Sequence, residues 1–180
     1  GGLSRRESWR AVSNAEITAL AGKSYQDIAF LILSRFTDGE IGPVKLQAMI
    51  NEAYATFRHD AVCPLVQTGA NEFVAELFHG PTLAFKDVAM QLLARLMDHA
   101  LAERGERATI VGATSGDTGG AAIDAFAGRE RTDMFILFPH GRVSPVQQRQ
   151  MTTSQAANVH ALAIEGNFDD CQGLVKAMFN

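Results

Sequence analysis

Three nearly continuous apolar runs dominate this chain: ATIVGAT (108–114), DMFILFPH (133–140) and VHALAIEG (159–166). Such runs suit strands of a parallel sheet covered on both faces. Each is followed by a segment with helix signals: Asp117 to Phe126, Ser144 to about Ser154, and Asn167 onward. Strand, loop and helix repeated three times predict a parallel α/β sheet with right-handed crossovers. In such sheets ligands bind beyond the carboxyl ends of the strands. The loops to inspect are therefore ATSGDTGG, PHGRVS and EGNFDD.

The first third reads differently. Ser13 and Glu16 form a capping-box pattern, and Ser24 is placed to cap a second helix with Ile28, Leu31, Ile32 and Phe36 on one face. Pro43 suits the first turn of a third helix, which is expected to reach about Phe57 and carries Leu46, Met49, Ile50, Ala53 and Tyr54. After Cys63-Pro64 come two short β-prone stretches, PLVQTG and EFVAELFHG, then a helix from about Phe85 to Glu103 with Leu92, Leu93, Leu96 and Met97 as its core stripe. The expected organisation is a helical segment over 1–62 and an α/β portion over 63–180. Apolar residues make up 47% of the 180 and charged residues 20%, as in a soluble globular protein. With a net charge of −4 and no basic patch, nucleic acid is not an expected partner. No apolar run reaches membrane-spanning length. Cys63 and Cys171 are far apart and unaccompanied, which fits a reducing cytoplasm, and no metal site is expected.

Two stretches carry candidate chemistry. In VGATSGDTGGAA, the small residues Ser115, Gly116, Thr118, Gly119 and Gly120 precede a helix, so their amides and the helix end could receive a carboxylate or phosphate. A glycine-rich βα turn without a ligand is the other reading. Asp117 either caps the helix or faces a cationic or hydroxyl group. In LFHGPTLAFKDV, Lys86 stands in apolar company where a helix begins. Desolvation and the positive helix end both favour a neutral, nucleophilic amine there, while simple surface pairing with Asp87 is the alternative. His79 could reach the site, but satisfying a turn carbonyl is the favoured reading; Arg142 is read as able to bind an anion, and Ser144 as a helix cap ahead of Pro145.

ELFHGPTLAFKD, TIVGATSGDTGGAA, GRVSPVQQRQM and EGNFDDCQGLV follow one another in the order and spacing of the threonine synthase family, which the chain resembles over nearly its whole length. The resemblance implies a fold-type II pyridoxal-phosphate (PLP) enzyme, tryptophan synthase β-like, acting as a lyase on a phosphate ester. It would convert O-phospho-L-homoserine and water to L-threonine and phosphate. Lys86 matches the lysine that holds the cofactor as an internal aldimine. Thr114, Ser115, Gly116, Thr118 and Gly119 match the loop that binds the substrate carboxylate, and Asp117 sits near the ring hydroxyl where many relatives carry asparagine. The opening GGLSRRESW resembles the family's Gly-Gly-Leu start but lacks the expected proline. The family pattern continues past Asn180 with groups that hold the substrate and cofactor phosphates. The chain is therefore expected to be an N-terminal portion, inactive by itself. A related phospho-lyase, and a scaffold without catalysis, are the alternatives. Oligomeric state is left open.

Overall fold

The computed structural model describes residues 11–37 and 39–179. The Gly-Gly-Leu opening lies outside the described residues. The chain forms two compact units, residues 1–51 and 52–180.

The first unit is helical. Helix α1 (Asn14–Ala19) starts with the expected capping box: Glu16 N donates to Ser13 Oγ at 3.3 Å, and Ser13 N to Glu16 Oε2 at 2.8 Å. Helix α2 (Tyr25–Thr37) is capped by Ser24, whose Oγ accepts from Asp27 N at 3.1 Å. Arg35 near its end donates to the Ala11 carbonyl and pairs with Glu16, tying α2 back to the start of α1. Helix α3 (Pro43–Tyr54) begins at the proline, as expected, and ends three residues earlier than the sequence suggested. Thr56 Oγ1 donates to Ala53 O and Phe57 N to Tyr54 O, so its last turn closes on a side-chain bond and a tighter turn.

In the second unit the end of α3 is followed by an antiparallel hairpin, β1 (Leu65–Gly69) and β2 (Glu72–Ala75). Helix α4 (Asp87–Arg104) follows, then β3 (Ala108–Ala113), α5 (Asp117–Phe126), β4 (Thr132–Pro139), α6 (Pro145–Thr152), β5 (Val159–Ile164) and α7 (Phe168–Met178). The three strands form a parallel sheet in the order β3-β4-β5, the α/β repeat read from the apolar runs. Side chains alternate between faces along a strand. Ile136 and Leu137 of β4 are both buried, so the central strand is covered on both sides. Its Met134, Ile136 and Phe138 pack with Ile123 and Phe126 of α5 and Met151 of α6. The expected two-sided burial holds for β4 but not for β3 and β5, which flank it and are largely half-exposed or exposed.

Helix α4 departs from its expected stripe. Leu92 is buried, but Leu93 is 48% exposed, and the buried positions beside Leu92 are Gln91, Ala94 and Arg95. Leu93 and Met97 instead line an open apolar cleft of about 350 Å³ with β3 and α5. The polar side is a network. Arg95 Nη1 donates to Gln91 Oε1 at 3.0 Å, and Gln91 Nε2 to Asp124 Oδ2 at 2.6 Å. Arg95 and Arg129 both pair with Glu52, at 3.0 and 2.9 Å. Burial holds the Arg95 guanidinium below its ordinary range. Burial also works to raise the Glu52 carboxyl, but the Arg129 hydrogen bond and the Arg95 charge outweigh it and hold that carboxyl low.

At the opposite end of the sheet from the candidate loops, Asn158 joins several turns. Its Nδ2 donates to the carbonyls of Phe126, Arg129 and Thr132, and its Oδ1 accepts from Gly128 N. Asn158→Ala leaves these groups without their partner and should destabilise the fold by about 1–3 kcal/mol. Urea denaturation checks this; an unchanged midpoint would show that water replaces the amide at no cost.

Candidate active site

Lys86 occupies the position just before α4, with helical backbone angles of −65° and −21°. The turn that delivers it is closed by Asp87, which is fully buried. Asp87 Oδ2 accepts from Thr82 N at 2.8 Å, and Oδ1 from the Thr82 hydroxyl at 2.6 Å. Burial pushes the Asp87 carboxyl above the ordinary range, and the Thr82 bonds counter this only in part. Gly80 is required by proximity: a Cβ there would stand 2.4 Å from Asp87 atoms. Leu83, inside the turn, has φ 66°, a region that side-chain-bearing residues enter at a cost of about 1–3 kcal/mol. From the other side, Gln150 Nε2 of α6 donates to Thr82 O at 3.0 Å.

With Asp87 committed to Thr82, surface pairing of Asp87 with Lys86 does not describe this turn. Lys86 is half-buried rather than fully buried. Its Nζ lies 4.2 Å from the Phe85 ring centroid, a cation–π distance. Leu77, Phe85, Val88, Ala89 and Met90 join Lys86 in lining an apolar pocket of about 360 Å³.

The second part is the loop between β3 and α5. Thr114 is buried, and its Oγ1 accepts from Gly116 N at 3.0 Å and from Gly119 N at 2.9 Å. Two of the loop's amides are thereby used internally. Among the described residues, the amides of Ser115, Asp117 and Thr118 have no partner. They lie at or just before the start of a ten-residue helix, where unpaired N–H groups and the helix dipole favour a negative charge. Gly116 adopts φ 145°, ψ −84°, and its missing Cβ leaves room for Gln147 of α6.

The structure thus groups Thr114, Ser115, Gly116, Asp117, Thr118 and Gly119 in the β3–α5 turn and the first turn of α5. It makes Thr114 and the Gly116 and Gly119 amides the internal fastening of that loop rather than free donors. No hydrogen bond joins Lys86 to the loop among the described residues. The two parts adjoin through Met90, which lines both the Lys86 pocket and the cleft that Thr114, Thr118 and Gly119 border. Asp117 does not cap α5 with its side chain, and Gln147 Nε2 donates to its Oδ1. Among the expected polar residues, His79 pairs with Glu76 at 2.8 Å and its carbonyl accepts from Arg58 N. Ser144 caps α6 through Gln147 N. His140 pairs with Glu165 at 2.9 Å. No cluster of metal-ligating side chains occurs among the described residues, and no described helix is long and apolar enough to cross a membrane. Thr82, Gln147 and Gln150 were not singled out in the sequence. The only local signal was Gln147 three residues after a capping serine, the spacing of a capping box.

Comparison with known proteins bears on this arrangement. The family described as the threonine synthase N terminus matches residues 1–54. Threonine synthase of Pseudomonas aeruginosa is 53% identical over 179 residues, 99% of this chain. A PLP-bound threonine synthase of Brucella melitensis superposes with a TM-score of 0.94 at 71% identity, over 97% of this chain. The chain belongs to the threonine synthase family. It spans 38% of the length of each of these two relatives. The chain is also 36% identical, over 180 residues, to threonine synthase-like 2 of Xenopus laevis, again spanning 38% of that relative.

The tightest geometric demand in the loop is at Gly116. A Cβ there would stand 2.3 Å from Gln147 Oε1 in a backbone conformation that L-residues avoid. Gly116→Ala should cost about 1–3 kcal/mol. Thermal unfolding would register this as a clear fall in Tm, whereas an unchanged Tm would mean that the loop readily takes another path.

Proposed function

We propose that the full-length protein carrying this chain is a PLP-dependent threonine synthase, converting O-phospho-L-homoserine and water to L-threonine and phosphate. The observation that carries this reading is the similarity to the PLP-bound Brucella enzyme along nearly the whole chain. The residues present suit such a cofactor in two respects. Lys86 offers a primary amine, the group that condenses with an aldehyde, in the lining of an apolar pocket. The loop offers three unpartnered amides at a helix N-terminus for an anionic group. Bound there, PLP would supply an electron sink for charge developing at the substrate α-carbon.

The remaining work falls to the chain. Lys86 holds the cofactor and, when its amine is free, serves as the base and acid that moves protons at the α- and β-carbons. The side chains of Leu77, Phe85, Val88 and Met90 give that amine an apolar surround. The amides of Ser115, Asp117 and Thr118, with the Ser115 and Thr118 hydroxyls, receive the substrate carboxylate. Thr114 keeps those donors in place through its two internal bonds. Asp117 faces the cofactor ring. Placement in the cytoplasm belongs to the same reading.

The similarity to threonine synthase-like 2 favours one second reading, a phospho-lyase that yields a keto acid. Product analysis distinguishes them: threonine with phosphate supports the synthase, whereas 2-oxobutyrate without threonine would replace it.

Two substitutions test the residue roles. In the full-length protein, Lys86→Ala should abolish covalent attachment of the cofactor. Borohydride reduction followed by peptide mapping should label Lys86, and label on Lys45 or Lys176 would displace the assignment. Thr118→Val removes one donor to a charged group, worth roughly 1.5–3 kcal/mol, and should weaken substrate binding about 10- to 100-fold with cofactor absorbance retained. Unchanged affinity, or loss of the cofactor first, would assign Thr118 a different role.

A further inference from the structure

Gln147 stands where a capping box would place it. In Ser144-Pro145-Val146-Gln147 the serine accepts from Gln147 N at 3.3 Å, which is the first half of the box. The second half is missing. Instead of turning back to the Ser144 amide, the Gln147 side chain crosses to the β3–α5 loop and donates from Nε2 to Asp117 Oδ1. A carboxylate only accepts, so the atom facing it is the amide nitrogen. The orientation is fixed from behind as well, because Ser144 Oγ donates to Gln147 Oε1 at 3.0 Å. The same side chain fills the space beside Gly116 that any Cβ would occupy. One residue of α6 therefore holds two consecutive residues of the candidate loop.

The chemistry of this partner matters. Asp117 begins α5 and is exposed, so without Gln147 its side chain would be free to rotate into water. An arginine or lysine in that place would neutralise it. A neutral amide instead occupies one oxygen, leaves the charge in place and leaves the second oxygen available to accept.

We infer that Gln147, oriented by Ser144, is a positioning residue of this site: it holds Asp117 as an oriented, charged acceptor toward the cofactor. The inference rests on the site reading proposed above. Gln147 acts through Asp117 and touches no reacting atom.

The test uses the full-length protein and two near-isosteric substitutions. Gln147→Met keeps bulk beside Gly116 and removes the donor. Gln147→Glu keeps the shape and sets an acceptor against an acceptor. PLP affinity and the visible spectrum of the bound cofactor are measured by titration, and apo-protein Tm reports folding. Loss of one hydrogen bond to a charged group predicts about tenfold weaker PLP binding and an altered absorbance band for Gln147→Met, with a Tm near wild type. Gln147→Glu should weaken binding further. Because Gln147 acts through Asp117, Gln147→Met should change PLP affinity by less than about twofold in an Asp117→Ala background, which a packing role would not produce. PLP affinity and spectrum within twofold of wild type in both single variants, or an undiminished effect of Gln147→Met in the Asp117→Ala background, would overturn the positioning role. Borohydride labelling of the wild type separates the two levels. Label on Lys86 with unaffected Gln147 variants overturns the role alone, and label elsewhere overturns the site reading and this inference with it.

Discussion

The Thr114 hydroxyl, accepting from the amides of Gly116 and Gly119, fixes the turn by which the chain leaves β3 and enters α5. A chain leaving a parallel strand for a helix must turn sharply and account for the first N–H groups of that helix. Thr114 satisfies two amides from a buried position, and the turn then has a fixed path. The amides of Ser115, Asp117 and Thr118 remain as donors because the others are already used. Asp87 does the corresponding task on the other side of the site: its two oxygens close on Thr82, and Lys86 is carried to the helix start. In both places a buried side chain is bonded to its own loop, so the outward groups are oriented before any ligand arrives.

Much of the fold was legible because its signals are local. The apolar runs gave the strands, and Ser13, Ser24, Ser144 and Asn167 gave helix starts through hydrogen bonds to residues two or three positions away. What escaped was set by partners distant in sequence. Nothing within a few residues of Gln91 and Arg95 says that they, rather than Leu93, lie buried, since their counter-groups are Asp124 and Glu52. The open cleft that leaves Leu93 exposed is equally invisible to helical periodicity.

The candidate site divides along the same line. Lys86, the glycine-rich loop and the anomaly of Asp117 stood out by residue type. The separation of loop groups into internal fastening and free donors did not, because a hydroxyl and an amide show no direction in a sequence. Gln147 was hidden by its ordinary setting, since three positions after a capping serine it looks like part of a helix cap. Only its crossing to Asp117, thirty residues away along the chain, gives it another use.

Asn158 shows how the same economy bears on chemical ageing. Asparagine decays when its side-chain carbonyl carbon swings toward the next backbone nitrogen and closes a ring. Here the amide group is held at both ends, by three carbonyls and one N–H, and Val159 follows with a branched, buried side chain. The swing would require releasing all four bonds together. If aspartate were formed, its oxygens would face three carbonyl oxygens that had been accepting hydrogen bonds. The side chain that joins these turns is thus guarded against the reaction that would undo it, and the durability of this end of the sheet is a property of its hydrogen bonding.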